Sequence, residues 1–324
     1  MQAIHWNGRE IRVCERPDPE PGEGEVIVEV RLAGVCNTDL EIARGYMGFT
    51  GVLGHELVGV VAAGPSEWLG RRVVSEINFA CGDLEHCESC RTGLGRHCPG
   101  RRVMGILDAD GAFAERVAVP VANLHAVPDP VCDEDAVFAE PLAAAFEILE
   151  QLALSASDWR EQRALVLGDG KLGLLVAQVL QRAGARVTAV GRHPDKLAIL
   201  ARRGIETRLQ ADWTASQRFD LCVEASGSSA GFEAAVAATR PRGTLVLKST
   251  VAGRHELDLA PIVIDEIQVL GSRCGPFAPA LEALAAGEID VASLVQEQMP
   301  LARGDDALRR AAERGARKVL VDCS

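Results

Sequence analysis

Ala164-Leu165-Val166-Leu167-Gly168-Asp169-Gly170-Lys171-Leu172-Gly173 is the stretch that decides the fold. Four consecutive apolar residues read as a buried strand, and Gly168, Gly170 and Gly173 then complete a G-x-G-x-x-G pattern. In this context the first glycine permits a tight turn. The second lets the backbone approach a pyrophosphate, and the third allows helix and strand to pack closely. The helix that opens at Lys171 and Leu172 offers unpaired N–H groups and a partial positive charge to the phosphates of a dinucleotide. Its apolar period runs from Leu172 to Arg182 and stops at Gly184; Arg186 to Val190 reads as the next strand. A helix from about Asp195 to Arg203 follows, then strands at Phe219 to Ala225, Thr244 to Lys248 and Ile267 to Leu270. Strands alternating with helices predict an α/β domain with a doubly wound parallel sheet over residues 141–272.

The end of the second strand bears on which dinucleotide is held. An NAD site usually presents Asp or Glu there to the ribose 2′-hydroxyl. Here the residues are Gly191, Arg192 and His193. Gly191 is expected to leave room at the ribose, and Arg192 to bring a cation where a 2′-phosphate would lie, which favours NADP(H) over NAD(H).

Upstream the pattern changes. Residues 1–140 hold short apolar runs such as Val26 to Val30, Leu57 to Val61 and Arg72 to Val74, separated by Gly and Pro clusters. That predicts a β-rich domain. From Gly275 on, the chain reads as mostly helical, with a closing strand Lys318-Val319-Leu320-Val321. The whole chain has 324 residues, 48% of them hydrophobic and 25% charged, with a formal charge of −12. Such a balance suits a globular protein rather than a disordered one. A net negative charge argues against general nucleic-acid binding. No apolar run approaches the ~18 residues of a membrane span, and Met1 to Trp6 do not read as a secretory signal. The expectation is a cytoplasmic protein that acts on a small molecule.

Ten cysteines in such a chain suggest metal rather than disulfides. Cys81, Cys87, Cys90 and Cys98 crowd together, and Cys36-Asn37-Thr38-Asp39 precedes Gly54-His55-Glu56 in the β-rich part. Thiolate, imidazole and carboxylate are credible Zn²⁺ ligands. The other cysteines are expected to be small buried hydrophobes, as Cys222 is between Leu221 and Val223.

In this order, Gly34-Val35-Cys36-Asn37-Thr38-Asp39, Gly54-His55-Glu56, the cysteine cluster, Glu140-Pro141-Leu142 and Gly168 to Gly173 resemble the zinc-dependent medium-chain dehydrogenase/reductase superfamily, the alcohol and polyol dehydrogenases. The resemblance runs nearly end to end. It implies a GroES-like catalytic domain (1–140), a Rossmann domain (141–272) and a C-terminal return to the catalytic domain (273–324). It implies a catalytic zinc held by Cys36 and His55, with Glu56 and Glu140 in direct or water-mediated contact. That zinc would polarise a substrate oxygen so that hydride can pass to the nicotinamide. Thr38 matches the hydroxyl that passes the proton, and Asp39 the residue that orients the metal shell from behind. Glu41 stands where many relatives carry an outer histidine; a carboxylate can relay protons too. The structural-zinc lobe (81–98) departs from the family spacing Cys-x2-Cys-x2-Cys-x7-Cys. Cys87, Cys90 and Cys98 fit it, but five residues separate Cys81 from Cys87, so His86 or Asp83 is an alternative ligand. The implied activity is reversible NAD(P)-dependent oxidation of a secondary alcohol of a polyol, sugar or cyclitol, by a homodimer or homotetramer. The alternatives are a biosynthetic aldehyde or ketone reductase and a non-catalytic nucleotide-binding protein of the same fold.

Overall fold

Glu25–Gly34 shows why the N-terminal part is built of sheet. Val26, Val28, Val30 and Leu32 are buried, while Glu29 and Arg31 face solvent, so the strand has one committed apolar side. It lies inside a sheet ordered Leu124–Ala126, Arg72–Ser75, Leu57–Ala63, Glu25–Gly34, Lys318–Asp322, Val295–Pro300, and Arg116–Pro120 also pairs with it. The pairing of Leu320 with Gly34 and Asp322 with Leu32 brings the end of the chain beside the segment that leads into Cys36. Structure is described for residues 1–250 and 256–324 of this computed structural model. They divide into two units, one of Met1–Glu140, Ala280–Ala286 and Leu294–Ser324, the other of Pro141–Pro279 and Gly287–Ser293. The return to the first unit therefore starts at Ala280 rather than at 273, and residues 287–293 stay with the second.

The second unit is an all-parallel sheet in the order Glu206–Leu209, Arg186–Gly191, Arg163–Leu167, Phe219–Glu224, Thr239–Leu247, Gln268–Gly271. The middles of its central strands are apolar, as strands covered on both faces must be, with charged residues at their ends and at Asp220. Ala164, Leu165 and Val166 are fully buried. Helix Lys171–Ala183 starts at Gly170 and ends on Gly184, whose φ of 109° closes the last turn in a conformation that favours glycine. The strand order reverses beside Arg163–Leu167, which leads into the glycine loop; ligands of such sheets bind where the order reverses. Among the described residues no helix is long and apolar enough to cross a membrane.

Candidate active site

In the first unit, Cys36 ends the approach from Glu25–Gly34 and caps the short helix Asn37–Ile42. His55 and Glu56 occupy the turn before strand Leu57–Ala63. Gly54 shapes that turn: its φ is +95°, and a Cβ there would lie 2.7 Å from the Phe113 ring. The ligand-capable atoms of Cys36, His55 and Glu56 all lie within 4.8 Å of one another. His55 and Glu56 are buried.

Asp39, also fully buried, ties these pieces together. One carboxylate oxygen accepts the Cys36 N–H at 2.8 Å, and the other accepts the Gly54 N–H at 3.3 Å. The latter oxygen also stands 3.2 Å from His55 Nδ1, at ion-pair distance but without hydrogen-bond alignment. Burial pulls the His55 pKa down, yet the charges of Asp39 and Cys36 outweigh it and hold it well above the ordinary value. On the far side, Glu56 Oε2 accepts from the Lys318 ammonium, which is itself buried. Glu56 Oε1 is buried without a hydrogen-bond partner. An orphaned carboxylate oxygen beside a thiol and an imidazole suits a divalent cation and is costly without one.

The remaining residues expected at this centre fall around it. Cys36 Sγ and Thr38 Oγ1 are 3.7 Å apart. Glu41 is buried rather than a free helix charge, with Arg44 Nη1 2.6 Å from its carboxylate. Glu140 lies in the first turn of helix Ala139–Leu152, half-buried, and does not join the cluster of Cys36, His55 and Glu56. Lys318 escaped sequence reasoning. A lysine opening a strand reads as a solvated charge, and Glu56 is 262 residues away.

The four clustered cysteines come together with all sulfurs within 4.8 Å. Cys81 and Cys90 sulfurs are 3.6 Å apart, and those of Cys87 and Cys98 3.7 Å. The edge of a ZnS₄ tetrahedron with ~2.3 Å bonds is about 3.8 Å, so the quartet fits zinc. Within the quartet the Cys81 N–H, foremost, lowers the Cys98 thiol to about 7, while burial pushes Cys90 up, so Cys98 is the first of the four to give up its proton. The longer Cys81–Cys87 spacing is absorbed by a turn closed by Asp83, which accepts the N–H groups of Glu85 and His86 at 2.9 and 2.8 Å. His86 points away, its side chain 76% exposed.

In the second unit, Gly168 has a φ of +117° and packs so closely on Ala225 that a Cβ would come within 2.5 Å of its carbonyl. A Cβ on Gly173 would collide with the Gly168 carbonyl oxygen, whereas one on Gly170 would meet nothing within 4 Å. Tight turn, close packing and an open approach are what a pyrophosphate cradle needs, and the loop fits a dinucleotide. The strand end differs from expectation. Gly191 leaves no room: a Cβ there would lie 2.5 Å from the side chain of Asp169. Asp169 accepts the N–H groups of Arg192 and His193 at 2.7 and 2.6 Å, and His193 Nδ1 is 3.0 Å from the same oxygen. A charged residue inside a glycine loop, facing a glycine at the neighbouring strand end, was the available signal.

Comparison with known proteins agrees with this geometry. Residues 22–129 match the family of alcohol dehydrogenase GroES-like domains, and residues 172–286 match the zinc-binding dehydrogenases. The chain is 30% identical over 320 residues to a D-altritol 5-dehydrogenase of Agrobacterium fabrum, covering 93% of each. An alcohol dehydrogenase of Escherichia coli CFT073 complexed with NADH superposes with a TM-score of 0.88 at 26% identity, covering 99% of each chain. A zinc-binding dehydrogenase of Sinorhizobium meliloti bound to NADP gives 0.85 at 26% identity, covering 99% of this chain and 98% of that one.

Proposed function

Since the chain belongs to the zinc-dependent medium-chain dehydrogenase superfamily and is thus a nicotinamide-dependent oxidoreductase, we propose that it oxidises a secondary alcohol of a polyol or sugar, reversibly. The polyol named for the relative from Agrobacterium fabrum supports that substrate class. The observation that carries the reading is the cluster of Cys36, His55 and Glu56 with its orphaned carboxylate oxygen.

Cys36 and His55 would hold the catalytic zinc, with Glu56 in direct or water-mediated contact, and Glu140, outside their cluster, would reach it only through water. When bound, zinc supplies Lewis-acid polarisation of the substrate oxygen, and the dinucleotide accepts hydride. Asp39 keeps Cys36 and His55 in register through the contacts described above. The Thr38 hydroxyl takes the alcohol proton and Glu41 receives it further out, with Arg44 compensating its charge. Cys81, Cys87, Cys90 and Cys98 hold a second zinc that stabilises their lobe.

The glycine loop holds the dinucleotide phosphates through Gly170, Lys171 and Leu172. Arg192, exposed and with no carboxylate on its guanidinium among the described residues, supports NADP(H) as the preferred form. A homodimer is supported by Gln268–Gly271, an edge strand with Val269 exposed, and by Val263 and Ile264 at 75% and 76% exposure. A second copy of the chain covers that apolar face. Ten free thiols suit a reducing cytoplasm. Metal analysis together with a panel of polyols, sugars and aldoses, each with both cofactors, tests the proposal. About two zinc per chain and turnover confined to secondary alcohols and their ketones is the expected result. Activity that survives complete zinc removal overturns it.

A further inference from the structure

Asp169 sits in the glycine loop, 7% exposed, and its carboxylate is directed away from the loop toward the end of the neighbouring strand. Three donors converge on it: the backbone N–H of Arg192, the backbone N–H of His193 and the Nδ1 edge of the His193 ring. Two consequences follow from this placement. Two adjacent N–H groups that could have received an external anion are already filled by a carboxylate of this chain. Position 191 is also closed to any side chain, because its first carbon would stand 2.5 Å from Asp169 Cβ, Cγ and Oδ2. The acidic residue that an NAD site carries at such a strand end therefore cannot be accommodated while Asp169 is present.

We propose that Asp169 is the positioning residue that sets cofactor choice: it anchors residues 191–193 from the glycine loop, excludes a carboxylate at 191, and leaves Arg192 to meet the 2′-phosphate of NADP(H). This rests on the dinucleotide reading above. With three donors on its two oxygens, the Asp169 charge is compensated inside the turn, and the exposed guanidinium of Arg192 is the charge that the turn presents outward. Asp169 itself touches no phosphate in this scheme. A residue of this kind changes the ratio of two affinities, whereas one that only stabilised the fold would lower both together.

Dissociation constants for NADPH and NADH, measured on the full chain by quenching of intrinsic or cofactor fluorescence, test this. The wild-type chain is expected to bind NADPH more tightly. Asp169→Ala releases the turn and should weaken NADPH by about tenfold or more, the worth of one charge-assisted contact, with NADH little changed. Asp169→Asn keeps the volume and one acceptor oxygen, and should fall between the two while guarding against a variant that fails to fold. Gly191→Asp alone should weaken both cofactors, because the new side chain collides with Asp169. Only the pair Asp169→Ala with Gly191→Asp should bind NADH more tightly than NADPH. An unchanged or increased NADPH preference in Asp169→Ala, an inversion by Gly191→Asp alone, or a wild-type preference for NADH would each overturn the proposal. A wild-type chain that binds neither cofactor would instead sink the dinucleotide reading itself.

Discussion

Glu56 and Lys318 form an ion pair in which both side chains are 1% exposed. Removing two charges from water is expensive, and their attraction repays it only when the remaining polar atoms are also satisfied. On the lysine side the Val35 carbonyl oxygen lies 3.4 Å from Nζ, and the Phe138 ring centroid lies 5.6 Å away, close enough for a cation–π contact. On the glutamate side Oε1 stays unpartnered until a cation arrives. Lys318→Met should therefore leave a buried, uncompensated carboxylate and destabilise the metal-free chain by ~3 kcal/mol. Zinc loading should recover part of that loss, since the metal offers Glu56 another positive neighbour. Denaturant melts of the metal-free and zinc-loaded variant would show it; equal losses in both states would mean that Glu56 does not sense the metal.

Single elements carry the next level of argument. Within the parallel sheet, Asp220 joins three strands: it accepts the Arg163 N–H at 2.9 Å and the Arg240 Nε–H at 2.6 Å from its own strand Phe219–Glu224. Burial pushes its pKa up, but these donors outweigh it and hold it below the usual carboxylate value. A folded pKa below the unfolded one gives stability that is present above about pH 4 and lost as pH falls through the carboxylate range. Asp220→Asn should thus cost ~1 kcal/mol near neutral pH, both arginines being partly exposed, and the gap from wild type should close in acid. A gap independent of pH would exclude the charge as its source. In the cysteine lobe, Cys81→Ser should remove about one zinc per chain and lower Tm with less effect on turnover. His86→Ala should leave zinc content unchanged. The reverse pattern would move the fourth ligand to His86.

Legibility in the sequence followed the same physics. Helix Lys171–Ala183 was expected within a residue or so because an apolar period bounded by glycines marks both of its ends. Five of the six strands of the parallel sheet were visible as apolar runs; Glu206–Leu209 was not, because this edge strand alternates charged residues with half-buried ones and buries none fully. Strand Val295–Pro300 was not, since only Met299 on it is buried and no alternation is left to read. Cys36 and His55 stood out by residue type and local order. Lys318 and Asp169 act through partners that only folding brings near: nothing local marks Lys318 as the partner of Glu56, and for Asp169 the glycine at 191 was the one trace.

At the scale of the whole molecule, the two chemistries are separated by unit. Cys36, His55 and Glu56 belong to the unit closed by the C-terminal strand, and the Gly168–Gly173 loop to the parallel-sheet unit. Each unit has its own buried core: Ile4, Val28, Val58 and Phe113 in the first, Leu165, Val166, Leu175 and Leu245 in the second. Loss of a ligand should therefore stay local. Cys36→Ser replaces a soft thiolate by a hydroxyl that binds zinc weakly at neutral pH, and His55→Ala removes the imidazole and the partner of Asp39. Both variants should lose turnover by several orders of magnitude and about one zinc per chain. Both should keep wild-type dissociation constants for NADPH and NADH within about threefold, under ~1 kcal/mol. Metal content, turnover and cofactor titration on the same preparation would separate the two losses. Cofactor affinity that fell together with zinc would mean that the dinucleotide loop depends on the metal centre, and the assignment of independent roles to the two units would fail.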